Sequence, residues 1–452
     1  MRFAGWKSWL VLLLSGLLPA WVCGQEPTLT LREAIDRALG QNPQVAVAAA
    51  DVQAASAGAA MARTALLPRL DLTEDLSRGN DPVYVFGTKL RQQRFSQSDF
   101  AVNALNRPTP TGNFATRASG QWMLFNWFAT ERQIHAARLG AASATSMSGA
   151  VRQDVIFQVV QAYQAVLYAE RQRAVAEHEQ QTAEALLQDA ETRVKAGLAI
   201  DSDLLGAQVN VSARQQEQIA AEGALETAWA ELEAAMGGTM IARPALKPLV
   251  ARAYPDGILS DDLAAALKTR PDLKALEQQT AAQGLAVKAA RSDFLPQVSA
   301  YGNWEMDRVT VAGDGGNNWV AGARLSLDIL PLSRRARLQE ANAAQQKAAA
   351  EERTQEQQIR LAVSRAFTDH QTAERIVATA QAALDQSTES LRILRNRYDA
   401  GLATMTDLLR AEDAQRQSQN NYWRAAYGNT VAYAGLLYAT GRLTPDSAEN
   451  LQ

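Results

Sequence analysis

The sequence predicts a mainly α-helical protein with a smaller transmembrane β part, arranged as two tandem repeats. Each repeat carries a strand pair and a long helical hairpin. Three observations carry this reading. Arg193–Ala207 (RVKAGLAIDSDLLGA) and Arg397–Ala411 (RYDAGLATMTDLLRA) agree at nine of fifteen positions, 204 residues apart. Each copy lies between two long segments rich in Ala, Gln and Glu. Four stretches outside those segments alternate apolar and polar residues with the period of a strand.

The N-terminus, MRFAGWKSWLVLLLSGLLPAWVCGQ, joins basic Arg2 and Lys7 to an apolar Leu10–Leu18 run and small residues at Cys23-Gly24. It reads as a secretory signal over 1–24. A membrane anchor is the competing reading, disfavoured because the run is short for a spanning helix. Cys23 is the sole cysteine, so a chain cut after Gly24 has no disulfide; alternatively Cys23 is a lipidated N-terminus. Net charge is −3, or about −5 without Arg2 and Lys7, and gives no sign of a nucleic-acid partner.

The duplication extends beyond the bends. Asn42-Pro43 matches Arg270-Pro271 and Leu67-Pro68 matches Leu295-Pro296, both 228 apart. The offset falls to 204 at the bends, so the first repeat holds about 24 extra residues, placed in Arg78–Asn113 and read as a long loop. The repeats span 25–238 and 259–441, with a proline-containing irregular linker at 239–258 and a tail at 442–452. Each opens on a short helix, with Thr30 and Glu33 spaced as a capping box and Ser260 as the second cap. Pro43 and Pro271 open the next helix, where the missing N–H costs nothing, and Pro68 and Pro296 end it.

Strands follow at about 69–77 and 116–127, and at about 297–309 and 318–329. Trp319, Ala321, Ala323, Leu325, Leu327 and Ile329 alternate with Arg324, Ser326 and Asp328; Leu70, Leu72 and Leu76 alternate with Asp71, Thr73, Asp75 and Ser77. A half-buried sheet of a soluble domain shows the same alternation, and the signal segment favours the barrel. Four strands cannot close a barrel, and an open edge in lipid leaves backbone groups unpaired, so strands in lipid require oligomerisation.

The long helices span roughly Glu131–Val194, Asp203–Met236, Arg334–Tyr398 and Asp407–Thr440, the first a rod of about 96 Å. Apolar residues at Val151, Val155, Val159, Ala162 and Val166, and at Ile359, Val363 and Phe367, mark packed faces. Gly197 and Gly401 end the first helix of each hairpin, since glycine adopts φ > 0 without a steric penalty. Asp203 and Asp407 fall in the next first turn, where the helix dipole favours an acid.

Chemistry-bearing motifs are missing. His135, His178 and His370 stand alone at helical positions without a second ligand at metal spacing. The sequence holds no P-loop, dinucleotide fingerprint, GxSxG or HExxH. The expectation is a protein that is not an enzyme and needs no cofactor or metal.

The shared G-L-A-x-x-x-D-L-L bends, the Leu-Pro before each strand pair and the N-terminal signal together resemble the TolC-like outer-membrane efflux proteins. The resemblance covers nearly all of the chain after the signal. It implies a homotrimer in which three chains form a twelve-stranded barrel in outer-membrane lipid and a twelve-helix tube through the periplasm. It also implies docking to a periplasmic adaptor coupled to an inner-membrane transporter. By the same resemblance, acids ring the periplasmic entrance: Asp407 holds the first acid position, whereas the second is Arg410. Tyr398 and Asp203 match one link between the bends. Ser202 matches half of a second link whose arginine position is Ala403. Gly197, Leu198, Ala199, Gly401, Leu402 and Ala403 are the expected adaptor contacts. Capping alone also accounts for Asp203 and Asp407, and simple packing for Tyr398. A periplasmic adaptor and a secreted coiled-coil scaffold are the rival functions. An adaptor ordinarily carries one hairpin flanked by small β domains, whereas this chain has two hairpins and amphipathic strands.

Overall fold

The structure is a computed structural model that describes residues 28–197, 199–240, 243–247, 252–255 and 257–451. The signal segment, Cys23 and Leu198 lie outside the described residues. The first repeat comprises β1 (Thr28–Leu29), α1 (Leu31–Gln41), α2 (Pro43–Thr64), β2 (Arg69–Gly79), α3 (Pro82–Arg91), α4 (Val102–Asn106), β3 (Thr111–Phe125), α5 (Ala129–Lys195) and α6 (Asp201–Met236). After β4 (Ala245–Leu246) come α7 (Leu259–Thr269), α8 (Pro271–Ser292), β5 (Gln297–Arg308), β6 (Gly315–Ser326), α9 (Leu332–Asp399), α10 (Met405–Ala439) and α11 (Pro445–Glu449).

The repeat is close in length as well as in order. α1 and α7 have 11 residues each and α2 and α8 have 22; α5 and α9 have 67 and 68, and α6 and α10 have 36 and 35. At about 1.5 Å per residue, α5 and α9 are rods of about 100 Å. Equivalent junctions use equivalent chemistry. Asn42 Nδ2 donates to the Ala235 carbonyl at 2.8 Å, and Arg270 Nη1 donates to the Ala439 carbonyl at 3.2 Å. Each ties the α1–α2 or α7–α8 corner to the last carbonyls of a hairpin helix. At the first corner a Cβ on Gly237 would lie 2.5 Å from Asn42 Cα, so the close approach requires glycine there.

The four long strands form one antiparallel sheet in the order β2-β3-β5-β6. The β3–β5 pairing joins the two repeats. Its register aligns the faces. Leu72, Ala118, Trp304 and Trp319 form one row across the sheet, and Thr73, Arg117, Glu305 and Asn318 the adjacent row on the other face. Arg117 pairs with Glu305 at 3.2 Å and Asp75 at 3.4 Å on that polar face. Trp122, Phe125, Trp127 and Phe128 gather where β3 passes into α5. There the indole of Trp122 donates to the Leu66 carbonyl and that of Trp127 to the Pro296 carbonyl, both at 2.8 Å.

Several expectations change. Strand β3 begins at Thr111 and β6 at Gly315, and β6 ends before Leu327 and Ile329. The Arg78–Asn113 segment is not a loop throughout. Asp81 caps α3, Pro82 sits in its first turn, and Phe86, Phe95 and Phe100 stack edge to face at 4.8 and 5.1 Å. Gln92 latches this insertion to the polar side of the sheet, donating to the Gly112 carbonyl (2.9 Å), Asn113 Oδ1 (2.9 Å) and the Arg308 carbonyl (3.1 Å). Thr30 and Glu33 form the expected capping box, but Ser260 lies inside α7, whose N-cap is Ile258. The linker is tethered by a two-residue parallel bridge, Thr28–Leu29 with Ala245–Leu246, and by Tyr254, which stacks on Tyr433 at 4.4 Å. The tail folds back as α11, burying Leu443, Ala448 and Leu451 in the core around Val155, Val159 and Tyr163. Helix α2 is apolar enough by composition to span a bilayer because it is rich in alanine, yet it packs along α5.

Candidate functional site

Both hairpin bends lie at the same end of the helical rods. Gly197 and Gly401 have φ of 73° and 72°, the left-handed conformation that ends α5 and α9. At the second bend the Leu402 N–H donates to the Arg397 carbonyl at 2.7 Å and the Gly401 N–H to the Tyr398 carbonyl at 2.9 Å. Thr404 then starts α10 with a capping box. The Asp407 N–H donates to Thr404 Oγ1 (3.2 Å), and the Asp407 carboxylate accepts from the Thr404 hydroxyl (2.7 Å) and N–H (3.2 Å). The Thr404 side chain, then its backbone, then nearby Arg410 and Arg397 hold the Asp407 carboxyl below the ordinary carboxylate range. Asp203 lies in the first turn of α6, and Ser202 and Arg410 are exposed.

A small apolar core joins the two bends. Leu186 and Ala190 of α5, Ala207 of α6, Tyr398 of α9, and Met405 and Leu408 of α10 are buried together, with Ala403 packed against them. Tyr398 is 8% exposed. Its hydroxyl donates to Asp189 Oδ2 at 3.5 Å rather than to Asp203, the partner expected from the resemblance. The Arg193 guanidinium lies 4.6 Å over the ring and pairs with Asp189 at 2.7 Å. Burial raises the Tyr398 pKa, so the phenol stays a neutral donor. Leu402 is 69% exposed at the second bend, and Gly197 and Gly401 are exposed.

Further along the rods, ion pairs cross between the hairpins. Arg214 of α6, largely buried, reaches Glu217 at 2.8 Å and Asp413 of α10 at 3.1 Å. Arg416 of α10 answers with Glu217 at 3.4 Å and Asp413 at 3.3 Å. Glu412 is 8% exposed and has only a long contact, 3.8 Å, with Arg395. Desolvation outweighs that arginine and raises the Glu412 carboxyl to about 7.

Asp189, Arg193, Arg214, Arg395 and Glu412 were not singled out from the sequence. Two signals were present: the Asp-x-x-x-Arg spacing of 189 and 193 on one helix, and the position of Glu412 one turn beyond Leu408 on a buried face. Among the described residues, no group of three or more His, Cys, Asp or Glu side chains is placed to hold a metal ion.

A family model described as "Outer membrane efflux protein" matches residues 34–238 and 263–442. The chain belongs to the outer membrane efflux protein family. CyaE of Bordetella pertussis is 29% identical over 423 residues, covering 92% of this chain and 84% of CyaE. The outer membrane efflux protein BepC of Brucella suis is 24% identical over 445 residues, 96% of this chain and 90% of BepC. The outer membrane channel CmeC of Campylobacter jejuni shares the fold, with a TM-score of 0.77 at 18% identity over 92% of this chain and 88% of CmeC. This efflux-family protein is accordingly an outer-membrane protein that extends into the periplasm. Members of the family are channels, not enzymes, and they work in tripartite systems with an adaptor and a transporter.

Proposed function

We propose that three copies of this chain form the passive exit duct of a tripartite efflux or secretion system. The observation that carries this reading is the four-stranded sheet. Among the described residues its edges, β2 and β6, each pair on one side only. One face exposes Leu72 (74%) and Trp319 (78%). Unpaired backbone in hydrocarbon costs several kcal/mol per group, so the sheet is stable in lipid only if β6 of one copy pairs with β2 of the next. Three such sheets make twelve strands, and the hairpins below them line a tube.

In this reading the bends form the periplasmic entrance, and Gly197, Leu198, Ala199, Gly401, Leu402 and Ala403 meet the adaptor. Asp203, Ser202, Tyr398, Asp407 and Arg410 surround the closure. The energy for opening comes from the inner-membrane partner, since the chain carries no nucleotide motif.

The decisive experiment is cell fractionation followed by electrophoresis without boiling. Heat-modifiable trimers in the outer membrane are expected; a water-soluble single chain would overturn the duct. In planar bilayers, Asp203→Ala and Tyr398→Phe are each expected to raise single-channel conductance. Unchanged conductance in both removes them from the gate.

A further inference from the structure

The ionic belt between the hairpins leaves Glu412 without a close cation. Glu412 lies on the buried face of α10. Glu179 of α5, Arg214 of α6, Arg395 of α9 and Asp413 of α10 act on it, and the exposed His178 of α5, Glu217 of α6 and Arg416 of α10 act on Glu179. The arginines are otherwise engaged. Arg214 and Arg416 each contact both Glu217 and Asp413, and Arg395 stays 3.8 Å from Glu412. Glu412 Oε1 has no hydrogen-bond partner. The Glu179 side chain is 12% exposed and adds like charge from the opposite hairpin. An uncompensated carboxylate in such a place is strongly disfavoured while the hairpins are packed, and is relieved when they part and water enters.

We propose that Glu412 is a proton-operated latch of the periplasmic entrance: protonated, it lets α10 pack against α5 and α6; ionised, it drives the hairpins apart. This rests on the reading of the bends as an entrance.

The sign follows from linkage. With the hairpins packed, burial raises the carboxyl from its ordinary 4.5 to about 7. Once solvated in the open form it returns toward 4.5. The packed form then binds the extra proton, so its added stability is full below the ordinary value and is lost as pH rises through about 7. Glu179, also raised by desolvation, shifts in the same direction. A difference of more than one pKa unit implies a change of about tenfold or more in the closed-to-open ratio for each protomer.

The test uses the full-length protein in planar bilayers between about pH 5 and pH 8. Wild-type open probability is expected to rise about tenfold with pH, and Glu412→Gln is expected to stay low and flat. Glu179→Gln, which removes the like charge, should move the transition to lower pH. A flat wild-type profile, or a Glu412→Gln profile that keeps the wild-type slope, overturns the latch. Hydrogen exchange across 405–416 in detergent reads the same device without a pore. After correction for intrinsic exchange, protection should fall with pH in wild type and persist in Glu412→Gln. Equal pH dependence in the two proteins rejects the latch even where channel activity is absent, whereas missing conductance with intact pH-dependent protection rejects the duct instead.

Discussion

Tyr398 is held from the opposite hairpin by an acid and a cation that also hold each other. Its hydroxyl bond to Asp189 is long, at 3.5 Å, while the Arg193 contact uses the whole ring face. The two contributions separate by mutation. Tyr398→Phe keeps the cation–π contact, worth about 0.5–1 kcal/mol at a partly exposed site, and loses only the weaker bond. Asp189→Ala releases Arg193 and the hydroxyl together. Single-channel recording should therefore show a larger rise in open probability for Asp189→Ala than for Tyr398→Phe; the reverse order would mean that the tyrosine hydroxyl, not the ion pair, sets the closure. Nearby, Thr404→Ala removes the cap of α10 and should destabilise that end by about 1 kcal/mol, read as faster hydrogen exchange over the first turn of α10. The sequence pointed to Asp203 and Asp407 as acids in a first helical turn, and the family resemblance pointed to Tyr398. It did not reveal Asp189 or Glu412. A charged side chain on a long helix reads as a solvated face until the neighbouring helix that covers it is known.

The long helices were legible almost to their ends, because each is bounded by local chemistry: glycine in the left-handed region, proline in the first turn, and acids near the N-terminus. Replacing Gly401 with alanine forces φ of 72° on a residue with a Cβ and should cost about 1 kcal/mol, seen as loss of the sharp bend and weaker adaptor capture. The insertion between β2 and β3 departs from the loop its sequence suggests. Asp81-Pro82 is a helix-start signal, and Lys89 and Arg91 suit a helix end, but the aromatic and polar composition around them resembled a loop. Its docking depends on Gln92, whose amide spans β3 and β5. Gln92→Ala removes three hydrogen bonds at a buried site and should loosen the insertion from the polar face. The expected readout is faster protease cleavage within 82–106 in outer-membrane vesicles, with trimer stability unchanged.

The proposed trimer rests on the sheet edges. An arginine in place of Leu72, near the middle of β2 on the apolar face, should cost about 2–4 kcal/mol if that row meets the bilayer core. Loss of heat-modifiable trimers is the expected result. An equally abundant Leu72→Arg trimer would place that row out of lipid.

The amino-acid order alone determined the duplication, the two bends, the helical rods and the alternation of the strands. Those features depend on neighbours a few residues away: backbone sterics at glycine and proline, and periods of two and 3.6. Only the tertiary structure decided that β3 pairs with β5, aligning the polar faces of the two repeats. Only it brought Asp189, Arg193 and Tyr398 together and left Glu412 buried without a full partner. Those relations join residues some two hundred positions apart. They are set by which helix covers which, and the same side chain is a charge in water or a charge in a core according to that choice.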